Sequence, residues 1–226
     1  MDYGLEHNSI ALSQACLLLS LQSTMMNQKL NSVWLSKAIS HAEAARANHY
    51  YHEPDPSLRL CLKRLWWSCI LRDRMIALGV RRMIQVGAEK FDFDQAGLEA
   101  EDLAEECHES DVYDFASKKS LSKIVVAQCE LAVAMMPMMI TAYCDETPSQ
   151  MGGSSVSLLI HSMTAVEKAS TELSVWARRF RTALVRLAEE EQDGHDANPS
   201  ITLFAHMTLI HYQYDLSTTY QPLCCC

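Results

Sequence analysis

LRLCLKRLWWSCILRDRMIALGVRRMIQVGAEKFDF, residues Leu58–Phe93, decides the fold. Wound as a helix, it carries two apolar stripes. One runs through Leu58, Leu62, Leu65, Cys69 and Ile76, the other through Leu62, Trp66, Ile70 and Ala77. A helix with so wide an apolar surface belongs at the centre of a bundle. Trp66 and Trp67 would each bury on the order of 200 Å². Asp73 falls in line with the second stripe, where a lone carboxylate is costly and needs a partner. Arg74, Arg81 and Arg82 are the candidate partners. The chain is expected to reverse beyond Gly79, so Arg81 or Arg82 is the expected partner, with a planar fork suited to a carboxylate. Effector binding at Asp73 is the rival reading.

The rest of the chain shares the helical spacing, and no alternating strand pattern interrupts it. Helices are expected at Ser9–Met26, Ser32–His49, Ser57–Leu78, Ser117–Tyr143, Ser154–Glu191 and Ser200–Thr218. Pro54, Asp55 and Pro56 mark a turn, with Ser57 as N-cap and Gly79 as C-cap of the third helix. Pro137 should kink or end the fourth. Gly152 and Gly153, and then Asp193, Gly194, Asn198 and Pro199, separate the later helices. In the fifth, Leu159, Met163, Val166, Ser170, Leu173, Ala177, Phe180, Leu184 and Leu187 form one stripe, with Arg178, Arg179, Arg181 and Arg186 off it. Ser170 and Ala177 weaken that stripe as a coiled-coil seam, which favours packing within the chain's own fold. The expected fold is all-α, an irregular multi-helix bundle or array around the Trp-Trp helix. At roughly 100–200 residues per domain, 226 residues suggest one domain or two closely fused ones. No Pro-, Ser- or Gln-rich linker divides residues 1–226.

Charge and cysteine usage exclude several functions. The formal net charge is −9, whereas a domain that grips nucleic acid by itself carries a basic footprint. The acidity gathers in Glu99, Glu101, Asp102, Glu105, Glu106, Glu109 and Asp111, which reads as a solvated face. Nine cysteines, mostly in apolar runs, fit buried thiols of a reducing compartment, cytosol or nucleus. The longest apolar run, Leu131–Ile140, is about half of the ~20 residues that a membrane span needs, and no secretory leader is evident. No phosphate loop, dinucleotide fingerprint or Gly-flanked serine is present. His206 and His211 face different sides of a helix, and His161 reads as a core or boundary residue. Cys107–His108 lack partners at zinc spacing. Glu105 and His108 give the Glu-x-x-His spacing of a di-iron bundle only once. No catalytic, cofactor-binding or metal residue is therefore assigned. The Cys224–Cys226 tail has no physical account.

The central segment resembles the fungal-specific transcription factor domain, the middle homology region of zinc-cluster transcription factors. That pattern is a basic residue, Leu and Trp-Trp, an Asp-Arg pair six residues beyond the second Trp, then Gly and Arg-Pro. Here it reads Arg64-Leu65-Trp66-Trp67, Asp73-Arg74, Gly79-Val80-Arg81-Arg82. Met83 stands where the family has Pro. Ala11–Ser20 and Trp34–Arg46 resemble the helices preceding the signature, and Phe91–Asp94 resembles the acidic strand-like segment after it. Val112–Asp114, Lys123–Ala134, Leu173–Trp176 and Leu203–Pro222 are most similar to the cutinase transcription factor-like subgroup, although Tyr220-Gln221-Pro222 replaces its usual His-Arg-Pro.

The resemblance implies a partial regulatory domain in the nucleus, acting through the transcription machinery or a homologous factor, with a small-molecule effector as a further expected partner. It also implies control of a metabolic or secondary-metabolite gene cluster. The family's zinc cluster needs a closely spaced Cys run, which is absent upstream of Ala11. The chain is therefore expected to hold no zinc and to lack autonomous specific DNA binding. The alternatives are a truncated remnant, or a ligand-sensing or protein-interaction module without transcriptional activity.

Overall fold

The computed structural model describes residues 7–22, 29–109, 111–143, 155–191 and 198–220. Among them the chain forms eight α-helices, two short 3-10 helices and no strand. The helices are α1 (Ser9–Ser20), α2 (Lys29–Ala44), α3 (Pro56–Val80), α4 (Ala104–Glu109), α5 (Phe115–Ala134), α6 (Met136–Tyr143), α7 (Ser155–Glu191) and α8 (Pro199–Tyr220). The all-α expectation holds. The chain divides into two compact units, Met1–Gly79 with Ile84–Leu98, and Val80–Met83 with Glu99–Cys226.

Helix ends follow local chemistry more closely than the apolar pattern does. Asn8 caps α1 through its side-chain oxygen, which accepts from Ile10 N at 2.9 Å. α2 ends at Ala44, five residues short of the expected His49, because Arg46 turns into the left-handed region at φ 60°. A 3-10 turn, Ala47–His52, follows. Pro56 opens α3, where its missing N–H costs nothing. Asp55, rather than Ser57, caps it, accepting from Ser57 N at 3.2 Å and Leu58 N at 3.4 Å. The expected C-cap is also displaced: α3 runs through Gly79 to Val80, and the left-handed residue is Arg81 at φ 53°. Phe91–Asp94 forms loop and turn rather than a strand-like segment. Asp92 organises it by accepting from Asp94 N at 3.0 Å and Gln95 Nε2 at 2.8 Å.

In the first unit α1 packs along α2, and Ser13 Oγ donates to the Ala38 carbonyl at 2.8 Å. Arg72 of α3 reaches the end of α1, donating to Ser20 Oγ at 3.1 Å and to the Ser20 carbonyl. Leu35, Ala38, Ile39, Trp66, Cys69 and Ile70 are buried.

In the second unit α5, α6, α7 and α8 form a bundle. Its described core includes Ile124, Ile201 and Ala205, with Leu121 and Leu184 against them. Asp114 caps α5, accepting from Ser117 N at 2.9 Å, and Asn198 caps α8, accepting from Ser200 N at 3.0 Å. Asn198 Nδ2 also donates to Ser117 Oγ at 3.2 Å, which joins the two helix starts. The break expected near Pro137 is present: α5 and α6 meet at Met135 with a 44° bend. Along α7, Leu173, Ala177, Phe180 and Leu187 are buried while Arg178, Arg179, Arg181 and Arg186 are exposed, so the stripe packs within the unit. Leu159, Met163 and His161 carry side chains outside the described ones.

Glu99, Glu101, Glu105, Glu106 and Asp111 are exposed, and among the described side chains of α4 only Cys107 is buried, so the described part of the acidic run is largely a solvated face. Of the cysteines described, Cys16, Cys69, Cys107 and Cys129 are buried and Cys61 half-buried, all as free thiols. Cys144 and Cys224–Cys226 lie outside the described residues. Among those residues no single helix is long and apolar enough to cross a membrane. The α5–α6 pair is long and apolar enough only jointly, across its bend, and Ile124, Leu131, Met138 and Met139 from it are buried.

Candidate functional site: the Trp-Trp signature

Of the residues singled out from the sequence, Asp73 and Arg74 form a buried clasp in the first unit, with Trp66 and Trp67 in the aromatic cluster beside it. Asp73, with no exposure, sits on the inner face of α3. Its Oδ2 accepts from Arg74 Nη1 at 2.8 Å, Gln85 N at 2.8 Å and Val86 N at 3.1 Å. Arg74, 2% exposed, continues the network by donating Nη2 to the Val86 carbonyl at 2.8 Å. Its guanidinium lies 5.8 Å from the centre of the Phe93 ring. Burial pushes Arg74 below its ordinary value, opposed by the charge and hydrogen bond of Asp73 and then by Glu89. The two charges thus take on the work of a strand pairing: they satisfy both faces of the Gln85–Val86 backbone.

This corrects the expected partner. Arg74, adjacent in sequence, supplies the cation. Arg81 is exposed and hydrogen-bonds Tyr214, which holds its guanidinium above the usual arginine value. Arg82 donates Nη1 to the Met83 carbonyl at 2.8 Å. Arg64 is half-buried on α3, and its carbonyl accepts from Ser68 Oγ at 2.8 Å. Gly79 is exposed, with no atom within 4 Å of where a Cβ would stand.

Below the clasp lies an aromatic cluster centred on Phe91. Its ring centroid is 6.0 Å from those of Tyr50, Trp66 and Trp67 and 5.1 Å from that of Phe93. The angles of 87° to Trp67 and 88° to Phe93 are the edge-on arrangements that ring quadrupoles favour, and Trp66 is tilted at 58°. Tyr50 Oη donates to the Ala96 carbonyl at 2.6 Å, and Trp67 Nε1 reaches Tyr50 Oη at 3.5 Å. A Cβ on Gly97 would stand 3.5 Å from the Trp67 ring. Trp66 Nε1 is buried with no acceptor among the described residues. Segment 84–98 is therefore held to α3 by charge at one end and by aromatic packing at the other. Ser36 Oγ to Gln85 Oε1 at 2.6 Å and Lys90 Nζ to Glu43 at 3.2 Å tie the same segment to α2.

The clasp is built to hold backbone rather than to react. Cys69, the nearest nucleophile type, is pushed up to about 12 by burial, with the Ser13 hydrogen bond lowering it and Asp73 and Glu43 raising it further. It stays a thiol at neutral pH. No group of His, Cys, Asp and Glu among the described residues could hold a metal ion.

Sequence reading missed the roles of four residues, three around the clasp and one in the second unit. Tyr50 sits past the end of α2 and has no periodic signal. The Gln85 and Val86 amides cannot be read from side-chain identity. Trp176, 1% exposed, anchors the second unit by donating Nε1 to the Ala127 carbonyl at 3.0 Å and stacking on Phe180 at 5.0 Å and 17°. Its position three residues past Leu173 was the available signal, although Ala177 filled that place in the expected stripe.

A helical chain organised around this signature is similar to fungal transcription factors, as residues 64–82 led one to expect. It is 26% identical to cutinase transcription factor 1 beta of Fusarium vanettenii, over 98% of this chain and 27% of that protein. It is also 26% identical to a transcription factor of Fusarium pseudograminearum (strain CS3096), over 45% of this chain and 12% of that protein. The chain thus spans about a quarter of the first relative and less of the second. No family model matches it, and no solved structure matches it.

Proposed function

We propose that this chain is the regulatory, middle-homology-type region of a fungal transcription regulator. The similarity to cutinase transcription factor 1 beta along 98% of the chain carries this reading. The region would act in the nucleus through protein contacts with the transcription machinery or a homologous factor, and without catalysis. The target genes would be a metabolic or secondary-metabolite set. The absence of a basic footprint in a chain of net charge −9 supports regulation without specific DNA binding by this region alone.

The test tethers residues 1–226 to a heterologous DNA-binding domain in a fungal reporter strain. A change of about fivefold or more in reporter output, abolished by Trp66→Ala, is expected. Unchanged output from a stably expressed fusion would contradict the proposal. Sequence-selective, salt-sensitive binding of duplex DNA by the isolated chain at nanomolar concentration would contradict its DNA-binding part.

A further inference from the structure

The chain is acidic, with a sequence pI near 5.4, yet one cleft in its second unit is cationic. Arg178, Arg179 and Arg186 of α7 and Lys123 of α5 line a cleft of about 580 Å³. Residues 178, 182 and 186 follow one another by single helical turns, so Arg178 and Arg186 stand about 12 Å apart along one row. Ala183 and the buried Leu187 belong to the adjoining row with Arg179 and give the cleft an apolar floor. The volume lies within the roughly 300–1,000 Å³ of small-molecule sites.

Among the described residues the three arginines of this cleft are weakly neutralised. Glu130 approaches Arg179 at 3.8 Å, but both side chains are more than half exposed, so that pairing is weak. Arg178 and Arg186 make no ion pair among the described residues. Like charges gathered on one helix face repel, and a bound anion would relieve that repulsion. The lining holds no aromatic residue, which disfavours a planar apolar ligand. Guanidinium forks two turns apart suit separate oxyanion groups, each gripped by two bonds.

We propose that this cleft binds a compact polyanion, a small molecule with two or more phosphate or carboxylate groups that bridges Arg178 and Arg186 opposite Lys123. Such a site is independent of the transcriptional reading. Titration calorimetry of the full chain with pyrophosphate and with citrate tests it. Saturable one-site binding of either probe is expected, weakened by added salt and weakened about tenfold by Arg178→Gln. The double variant Arg178→Gln/Arg186→Gln should lose binding while keeping the wild-type melting curve. Arg181→Gln, an exposed cation of α7 outside the cleft, should change affinity less than twofold. No binding of either probe at millimolar concentration would overturn the proposal. So would equal losses in the Arg181 and Arg178 variants, or capture of duplex DNA or a poly-glutamate peptide that neither probe displaces.

Discussion

Asp73 and Arg74 are consecutive on α3, and Arg74 Nη1 donates to Asp73 Oδ2 at 2.8 Å while both side chains are almost fully buried. Neighbours on a helix diverge by about 100°, so such a pair needs a third party to converge on. Segment 84–98 provides it: Gln85 and Val86 give their amides to Asp73, and the Val86 carbonyl accepts from Arg74. Taking two charges out of water is costly unless the remaining hydrogen-bonding capacity is filled. Here the backbone fills it.

The pair should therefore behave as one unit. Asp73→Asn and Arg74→Gln are each expected to destabilise by about 3–5 kcal/mol, because each leaves a buried charge uncompensated. In a double-mutant cycle the coupling energy should be about 1–3 kcal/mol. Urea denaturation of the four proteins provides the measurement, and additive losses would show that the two residues act separately.

Trp66, with no exposure, should be the costliest aromatic to truncate. Trp66→Ala is expected to lose about 3–5 kcal/mol. Trp66→Phe should lose less, since it keeps the ring contact with Phe91 and removes an indole N–H that lacks an acceptor among the described residues. Equal denaturation midpoints for wild type and the Ala variant would place the helix at the periphery.

Gly79 lies inside α3 rather than at its cap, with open space around the position of a Cβ. Gly79→Ala should stabilise the protein by about 0.5–1 kcal/mol, as expected for an exposed helix interior. A lowered melting temperature would restore Gly79 to the capping role that its place in the sequence suggests.

Asp215 of α8 is 2% exposed, and burial pushes its carboxyl up to about 7 from an ordinary 3.8. The folded chain thus binds a proton that the unfolded chain has released across that interval. Stability from this group is full below about pH 4 and is lost as pH rises through about 7, a span on the order of 4 kcal/mol. His211 of α8, pushed down from 6.5 by burial, works in the opposite direction, adding stability as pH rises toward 6.5. Asp215→Asn isolates the first effect. It should raise the melting temperature at pH 8 relative to wild type and change it little at pH 4. An equal shift at both values would contradict the buried carboxyl.

Much of this arrangement is legible in residue spacing. The breadth of the apolar surface on residues 58–78 placed the Trp-Trp helix in the core, and the α7 stripe sorted Phe180 and Leu187 from the four arginines. Pro137 announced the break between α5 and α6. Helix ends were harder, because Arg46 and Arg81 take left-handed conformations that neighbouring packing selects and that arginine does not advertise. The clasp was half visible. A buried Asp73 calls for a cation, but the choice among Arg74, Arg81 and Arg82 depends on where Val86 lies, and backbone acceptors have no sequence signature. The cationic cleft was hidden for a similar reason: the sequence places the α7 arginines only off the apolar stripe, and the cleft exists once Lys123 of α5 is set beside them.

The clasp is tested most directly by amide hydrogen exchange at Gln85 and Val86. They lie in a loop, so without the clasp they would exchange as fast as exposed loop amides. The structure predicts strong protection at both, comparable to the amides of mid-α3, and its loss in Asp73→Asn while α5 and α8 keep theirs. Fast exchange at Gln85 and Val86 in the wild-type chain would contradict the account.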